Sequence, residues 1–265
     1  MTQPTTVVIA SYGRPAHLWA CLDAVYRKTR SPARFILVDN WHSDPGVGSV
    51  IQGFSRRGLF AEVHRFPTNS PDNLRTAYAA SLAAAGDEHV FLESDAVVSC
   101  DSECWLAEML RIFRSSPGIG MLGSLIDCDD FLPENGSGSL RSTDDQTRFL
   151  AKLDSPERAF TAEDAWHSTE RDFFPTEPPC PISNPPGRLL MLRTETMREC
   201  GLIPDGSLAT RFRKAGFQPS VTARVRHRHL SLLNIFDYPD YDAVARNRFF
   251  NAMESPAQGN GNDSP

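Results

Sequence analysis

Two carboxylates one residue apart, Glu93 and Asp95, follow three apolar residues in Val90-Phe91-Leu92-Glu93-Ser94-Asp95. An apolar run of this kind reads as the end of a buried strand. Open α/β sheets bind ligands outside the carboxyl ends of their strands. Two hard oxygen donors at such an edge suit Mg²⁺ or Mn²⁺ arriving with a diphosphate. Downstream, His227 and His229 alternate on the extension of a β-rich run, which turns both imidazoles to one side. Arg224, Arg226 and Arg228 surround them and form a basic cluster suited to a diphosphate. Upstream, Tyr12 offers a stacking face and Arg14 a bidentate guanidinium for a phosphate. Asp205-Gly206 reads as a turn pair and helix cap.

These groups need elements that bring them together. Thr5–Ser11 is β-rich and meets the turn Tyr12-Gly13-Arg14-Pro15, after which Leu18, Leu22 and Val25 fall on one face of a helix. Strands are expected at 35–38, 61–66, 89–92 and 120–126, with helices at 47–57, 71–85 and 105–113. This alternation predicts an α/β fold with a mostly parallel central sheet flanked by helices. Right-handed crossovers then place Ser11, Asp39, Glu93 and Asp95 along one crevice. The segment 127–185 is rich in Asp, Gly and Pro and reads as a lid or binding loop with one helix at 145–153. Strands at 188–192 and 217–225 and helices at 194–200, 208–215 and 240–253 complete the pattern. Residues 254–265 are polar and are expected to be disordered.

The bulk properties narrow the function classes. A chain of 265 residues holds one large α/β domain or two small ones. A net charge of −6 disfavours non-specific nucleic-acid binding. No apolar run reaches the length of a membrane span. With no basic, apolar leader, a cytoplasmic protein with reduced thiols is expected, its cysteines scattered at 21, 100, 104, 128, 180 and 200.

The motifs VVIASYGRP at 7–15, ILVDN at 36–40, Asn69 through Asn73, FLESD at 91–95 and GLIPDGSLATRFRKAGF at 201–217 together resemble a family. The chain is similar to nucleotide-sugar glycosyltransferases of the GT-A fold, family-2 type. The resemblance implies one GT-A (Rossmann-like) domain over 1–253. Residues 1–125 would bind the nucleotide sugar, and 126–253 would bind the acceptor. It implies that Ala10, Ser11, Tyr12 and Arg14 hold the nucleoside and that Asp39 meets the base edge. UDP is expected first; GDP stays open, because a carboxylate also pairs with guanine. Asn69 and Asn73 are helix caps or nucleotide contacts. Glu93 and Ser94 would face the nucleotide, with Glu93 replacing the family's usual Asp, and Asp95 and His229 would ligate Mg²⁺ or Mn²⁺. Asp205 would be the general base, though the family's preceding Glu and following Asp are absent around it. Gly187-Arg188 resembles the family's acceptor-side turn, and Trp166 and His167 are candidate acceptor contacts. The implied activity is sugar transfer from a nucleoside-diphosphate sugar to a small-molecule, glycan or protein acceptor, with inversion. Two alternatives remain: a metal-dependent hydrolase using Asp95, His227 and His229, and a non-catalytic nucleotide-sugar-binding module.

Overall fold

The computed structural model describes residues 3–126, 177–182, 185, 187–200 and 207–230. Strand β1 (Thr5–Ser11) sets the architecture because it is apolar on both faces. Val7 and Ile9 enter one core cluster, and Val8 enters the other. A strand covered on both sides belongs at the centre of a parallel sheet. β1 lies between β2 (Ala33–Asp39) and β4 (Glu88–Glu93), parallel to both, and β3 (Phe60–Arg65) lies parallel outside β2. The remaining strands are β5 (Ala96–Cys100), β6 (Ile119–Ile126), β7 (Cys180–Pro181), β8 (Leu189–Arg193) and β9 (Gln218–His229).

The nine strands among the described residues form one sheet in the order β3-β2-β1-β4-β8-β6-β9-β5, with β7 on β9. β8 runs antiparallel to β4 and β6, while β5 and β7 run antiparallel to β9. β6 and β9 are mutually parallel, so β1, β2, β3, β4, β6 and β9 share one direction. Their carboxyl ends therefore share one edge.

Helices cover both faces. Apolar residues of α1 (Pro15–Lys28), α2 (Pro45–Arg56) and α4 (Trp105–Ser115) join Val7, Ile9, Leu37 and Leu92. Those of α3 (Pro71–Leu82), α5 (Thr194–Cys200) and α6 (Leu208–Lys214) join Val8, Val38 and Phe91. Prolines open α1, α2 and α3, where a missing N–H costs nothing. Asp44 caps α2 through Gly46 N at 2.7 Å, and Ser70 caps α3 through Asp72 N at 3.2 Å.

The mixed α/β sheet flanked by helices matches the expected fold class. Two strands, β5 and β7, were not anticipated, and β9 runs beyond 225 to take in His227 and His229. β9 also carries an irregularity. Ser124 pairs with Thr222, but the next residue, Leu125, pairs with Arg226. The predicted helices at 145–153 and 240–253, the tail, Cys128, Trp166, His167 and Asp205 lie outside the described residues. The described cysteines are free thiols. Among the described residues, no helix is long and apolar enough to cross a membrane.

Candidate active site at the carboxyl edge

Register builds the site. Ser11 pairs with Asp39 and Ala10 with Glu93, so the ends of β1, β2 and β4 stand side by side. Beyond Glu93 the chain turns at Ser94-Asp95 into β5, whose first residue, Ala96, pairs with His229. That pairing brings His229 to Asp95: Nε2 lies 3.2 Å from Oδ2, and both residues are buried. The Leu230 N–H donates to Asp95 O at 2.9 Å and closes the contact.

Arg14 reaches the same carboxylate. Gly13, at φ 62°, makes the turn out of β1, a conformation open to glycine at no steric cost. Arg14 stands at the N-cap of α1 yet makes no capping bond. Its Nη2 instead lies 3.1 Å from Asp95 Oδ2. His17, one turn into α1, is buried beside this group. Burial, with Arg14 next, pulls its pKa down to about 4. Burial also lowers His229, against the opposing pull of Asp95. His227 is buried completely and held down to about 3, first by burial and then by His229 and Arg188. Its Nδ1 lies 2.7 Å from Ser124 Oγ. Its Nε2 and the Ser11 hydroxyl are buried with no hydrogen-bond partner among the described residues.

Glu93 is engaged by Arg188 in an ion pair across the β4–β8 edge, and its N–H donates to Arg188 O at 2.9 Å. Ser94 is buried, with its N–H on Ala10 O at 2.9 Å. Along the adjoining edge, Asp39 is buried with His42 Nδ1 2.9 Å from its carboxylate. Asn40 donates to Asn69 Oδ1 at 2.9 Å and to Ser70 O at 3.1 Å, while Asn73 donates to Thr68 O at 2.7 Å. Asn69 and Asn73 thus brace the β3–α3 loop. The Tyr12 and Trp41 rings are neighbours, with centroids 6.0 Å apart and planes tilted by 32°.

Ser11, Arg14, Asp39, Glu93, Ser94, Asp95 and His229 therefore gather on one edge, with Ala10 near the end of β1, Tyr12 and Asn69 on loops and Asn73 in the first turn of α3 around it. The basic cluster on β9 is placed differently from expectation. Arg224 pairs with Glu108 and Glu177, and Arg226 approaches Asp101 at 3.4 Å. Acidic groups from α4, from the loop before it and from the segment before β7 thus bind these two arginines, and the guanidinium groups paired with Asp95 and Glu93 are those of Arg14 and Arg188. His17, Trp41 and His42 were missed from sequence. The available signal was spacing: His17 and His42 each lie three residues beyond a candidate residue, Arg14 and Asp39.

The donor set fits a divalent cation that travels with a nucleotide. Such ions take one or two protein ligands and fill the remainder with phosphate and water oxygens. Asp95 Oδ2 and His229 Nε2 converge as one oxygen and one nitrogen donor. Among the described residues, no three His, Cys, Asp or Glu stand together to hold a metal, whereas the hydrolase alternative requires three.

The fold is shared with known enzymes. The mannosyltransferase PcManGT from Pyrobaculum calidifontis, solved with GDP-Man and Mn²⁺, superposes with a TM-score of 0.51 at 17% identity, over 83% of this chain and 56% of that one. GalNAc-T7, solved with UDP, GalNAc and Mn²⁺, gives 0.57 at 14% identity, over 85% and 44%. S. aureus TarS 1–349, solved with UDP-GlcNAc, gives 0.54 at 13% identity, over 95% and 64%. The chain thus spans roughly half the length of these structures. No protein-family model matches the sequence, and no curated protein matches it. The chain has the GT-A fold of nucleotide-sugar glycosyltransferases.

Proposed function

We propose that the protein is a metal-dependent glycosyltransferase that moves a sugar from a nucleoside-diphosphate sugar to an acceptor. The observation that carries this reading is the convergence of Asp95, His229 and Arg14 at the shared carboxyl edge of a GT-A sheet. Asp95 and His229 would hold Mg²⁺ or Mn²⁺. Bound there, the ion neutralises charge on the departing diphosphate. Arg14 orients Asp95, and Arg188 orients Glu93 at the neighbouring position. Ser11, Tyr12 and Asp39 face the nucleoside, with UDP the first expectation. Asp205 takes the acceptor proton as the acceptor attacks the anomeric carbon, in one in-line displacement with inversion. Residues 126–253 carry the acceptor contacts.

The test is thermal unfolding of the whole chain with UDP, GDP, CDP, ADP or dTDP, each with Mn²⁺, Mg²⁺ or EDTA, followed by transfer assays with the matching sugars. A ligand at about 100 times its dissociation constant adds about 2.7 kcal/mol. A shift for one nucleotide that EDTA abolishes supports the reading. A cooperative melt that no nucleotide moves would overturn it. Asp205→Asn should abolish transfer and leave donor binding intact; unchanged transfer removes Asp205 from the mechanism.

A further inference from the structure

Among the described residues, Trp41 is the only non-glycine with a positive φ, 75°. A bulky residue there is a conformational outlier, and such strain persists only where the surroundings over-determine it. The surroundings do so on both sides. Asn40 donates its N–H to Ser11 O at 2.9 Å, and its side chain is tied to Asn69 and Ser70. His42 is tied to Asp39 at 2.9 Å. Glycine or asparagine would make this turn more easily. Core packing does not explain the indole either: Trp41 is only half-buried and meets the Tyr12 ring at 6.0 Å. Both aromatics follow strand ends that pair directly, Ser11 with Asp39.

We infer that Trp41 and Tyr12 together form an aromatic platform for the base of a nucleoside diphosphate, next to the Asp39 carboxylate. This rests on the donor reading above and adds to it a residue, Trp41, held under backbone strain. His42 occupies part of the Asp39 carboxylate, and an ionised carboxylate has about four acceptor positions, so capacity remains for a base edge. Aromatic stacking is tolerant of base identity. Trp41 therefore contributes affinity for any nucleoside diphosphate and nothing for diphosphate alone.

The test uses the full chain and the variants Trp41→Gly and Trp41→Phe. UDP, GDP and inorganic pyrophosphate, each with Mn²⁺, are titrated calorimetrically. Trp41→Gly is expected to bind nucleotide about tenfold more weakly, at the low end of measured base–aromatic stacking. Its pyrophosphate affinity and melting temperature should not fall. Trp41→Phe should recover most of the affinity and lose most of the nucleotide-induced quench of tryptophan fluorescence. Equal nucleotide binding by wild type and Trp41→Gly overturns the inference. So does a proportional loss of pyrophosphate binding, or an undiminished quench in Trp41→Phe. Wild-type protein that binds pyrophosphate but neither nucleotide also overturns it and leaves a diphosphate site standing. Wild-type protein that binds none of the three overturns the donor reading itself.

Discussion

His89 and His229 are both buried, at opposite ends of the same sheet, and their partners differ. His89, near the start of β4, lies 2.5 Å from the Tyr78 hydroxyl and 3.0 Å from the Thr194 hydroxyl. Burial, with Arg198 next, holds it down to about 3, so it stays neutral between neutral partners. Two arginines at that end lie on backbone carbonyls, Arg193 on Pro117 and Ile119 and Arg198 on Leu82 and Ala85, while the charged pair there, Arg114–Glu88, keeps its guanidinium exposed to water. His229 instead shares one oxygen of a buried carboxylate with a guanidinium. Buried charge is costly unless paired, and perturbed titratable groups cluster at functional sites. The amino edge reads as a strut, and the carboxyl edge as a site held together by opposed charges.

Breaking the charged end has the largest expected effect. Asp95→Asn should lower transfer about a thousandfold, roughly 4 kcal/mol of barrier, and erase the metal-dependent part of the nucleotide-induced melting shift. Retained transfer would remove Asp95 from the mechanism. Tyr78→Phe strikes the opposite end by leaving a His89 nitrogen unpaired. It should cost about 1–3 kcal/mol in urea unfolding while nucleotide affinity stays unchanged. A change in affinity would mean that the two ends are coupled.

Acid sharpens the contrast next. The folded pKa of His89, about 3, lies below the ordinary 6.5. The unfolded chain therefore binds the extra proton, and stability is full above pH 6.5 and falls as pH drops toward 3. His89 alone should cost about 1.4 kcal/mol at pH 5.5. Comparing the melts of wild type and His89→Gln at pH 7.5 and 5.5 checks this, with the variant expected to show the shallower loss. The smallest effect belongs to the exposed Arg27–Asp23 pair on α1, where Arg27 is 71% exposed. Arg27→Ala should leave both the urea midpoint and transfer within error of wild type, because water screens an exposed pair.

Local pattern carried much of this architecture. β1, β2 and β4 are apolar runs ending in polar residues, and the spacing of α1, α3 and α4 is plain from their buried positions. β5 was not legible. Ala96–Cys100 is five residues, some half-exposed, and it becomes a strand only because β9 pairs with it from far along the chain. The same distance hid the Glu93–Arg188 pair. It also made Arg224 and Arg226 look available, because nothing local shows that Glu108, Glu177 and Asp101 meet them. Asp39 was legible as a strand end: it closes β2, and Asp44, five residues on, caps the following helix.

The jump in β9 register between Thr222 and Arg226 works as a parity count. Opposite a single step on β6, from Ser124 to Leu125, β9 advances four residues. The three residues in excess are an odd number, and an odd slip exchanges the two faces of a strand. Had the register run on one for one from Ser124–Thr222, Ile126 would pair with Arg224 in place of His227, and His229 would lie beyond the end of β6. An insertion or deletion of one residue in 223–225 should therefore turn His229 away from Asp95. This short stretch is therefore expected to tolerate substitution better than a change of length.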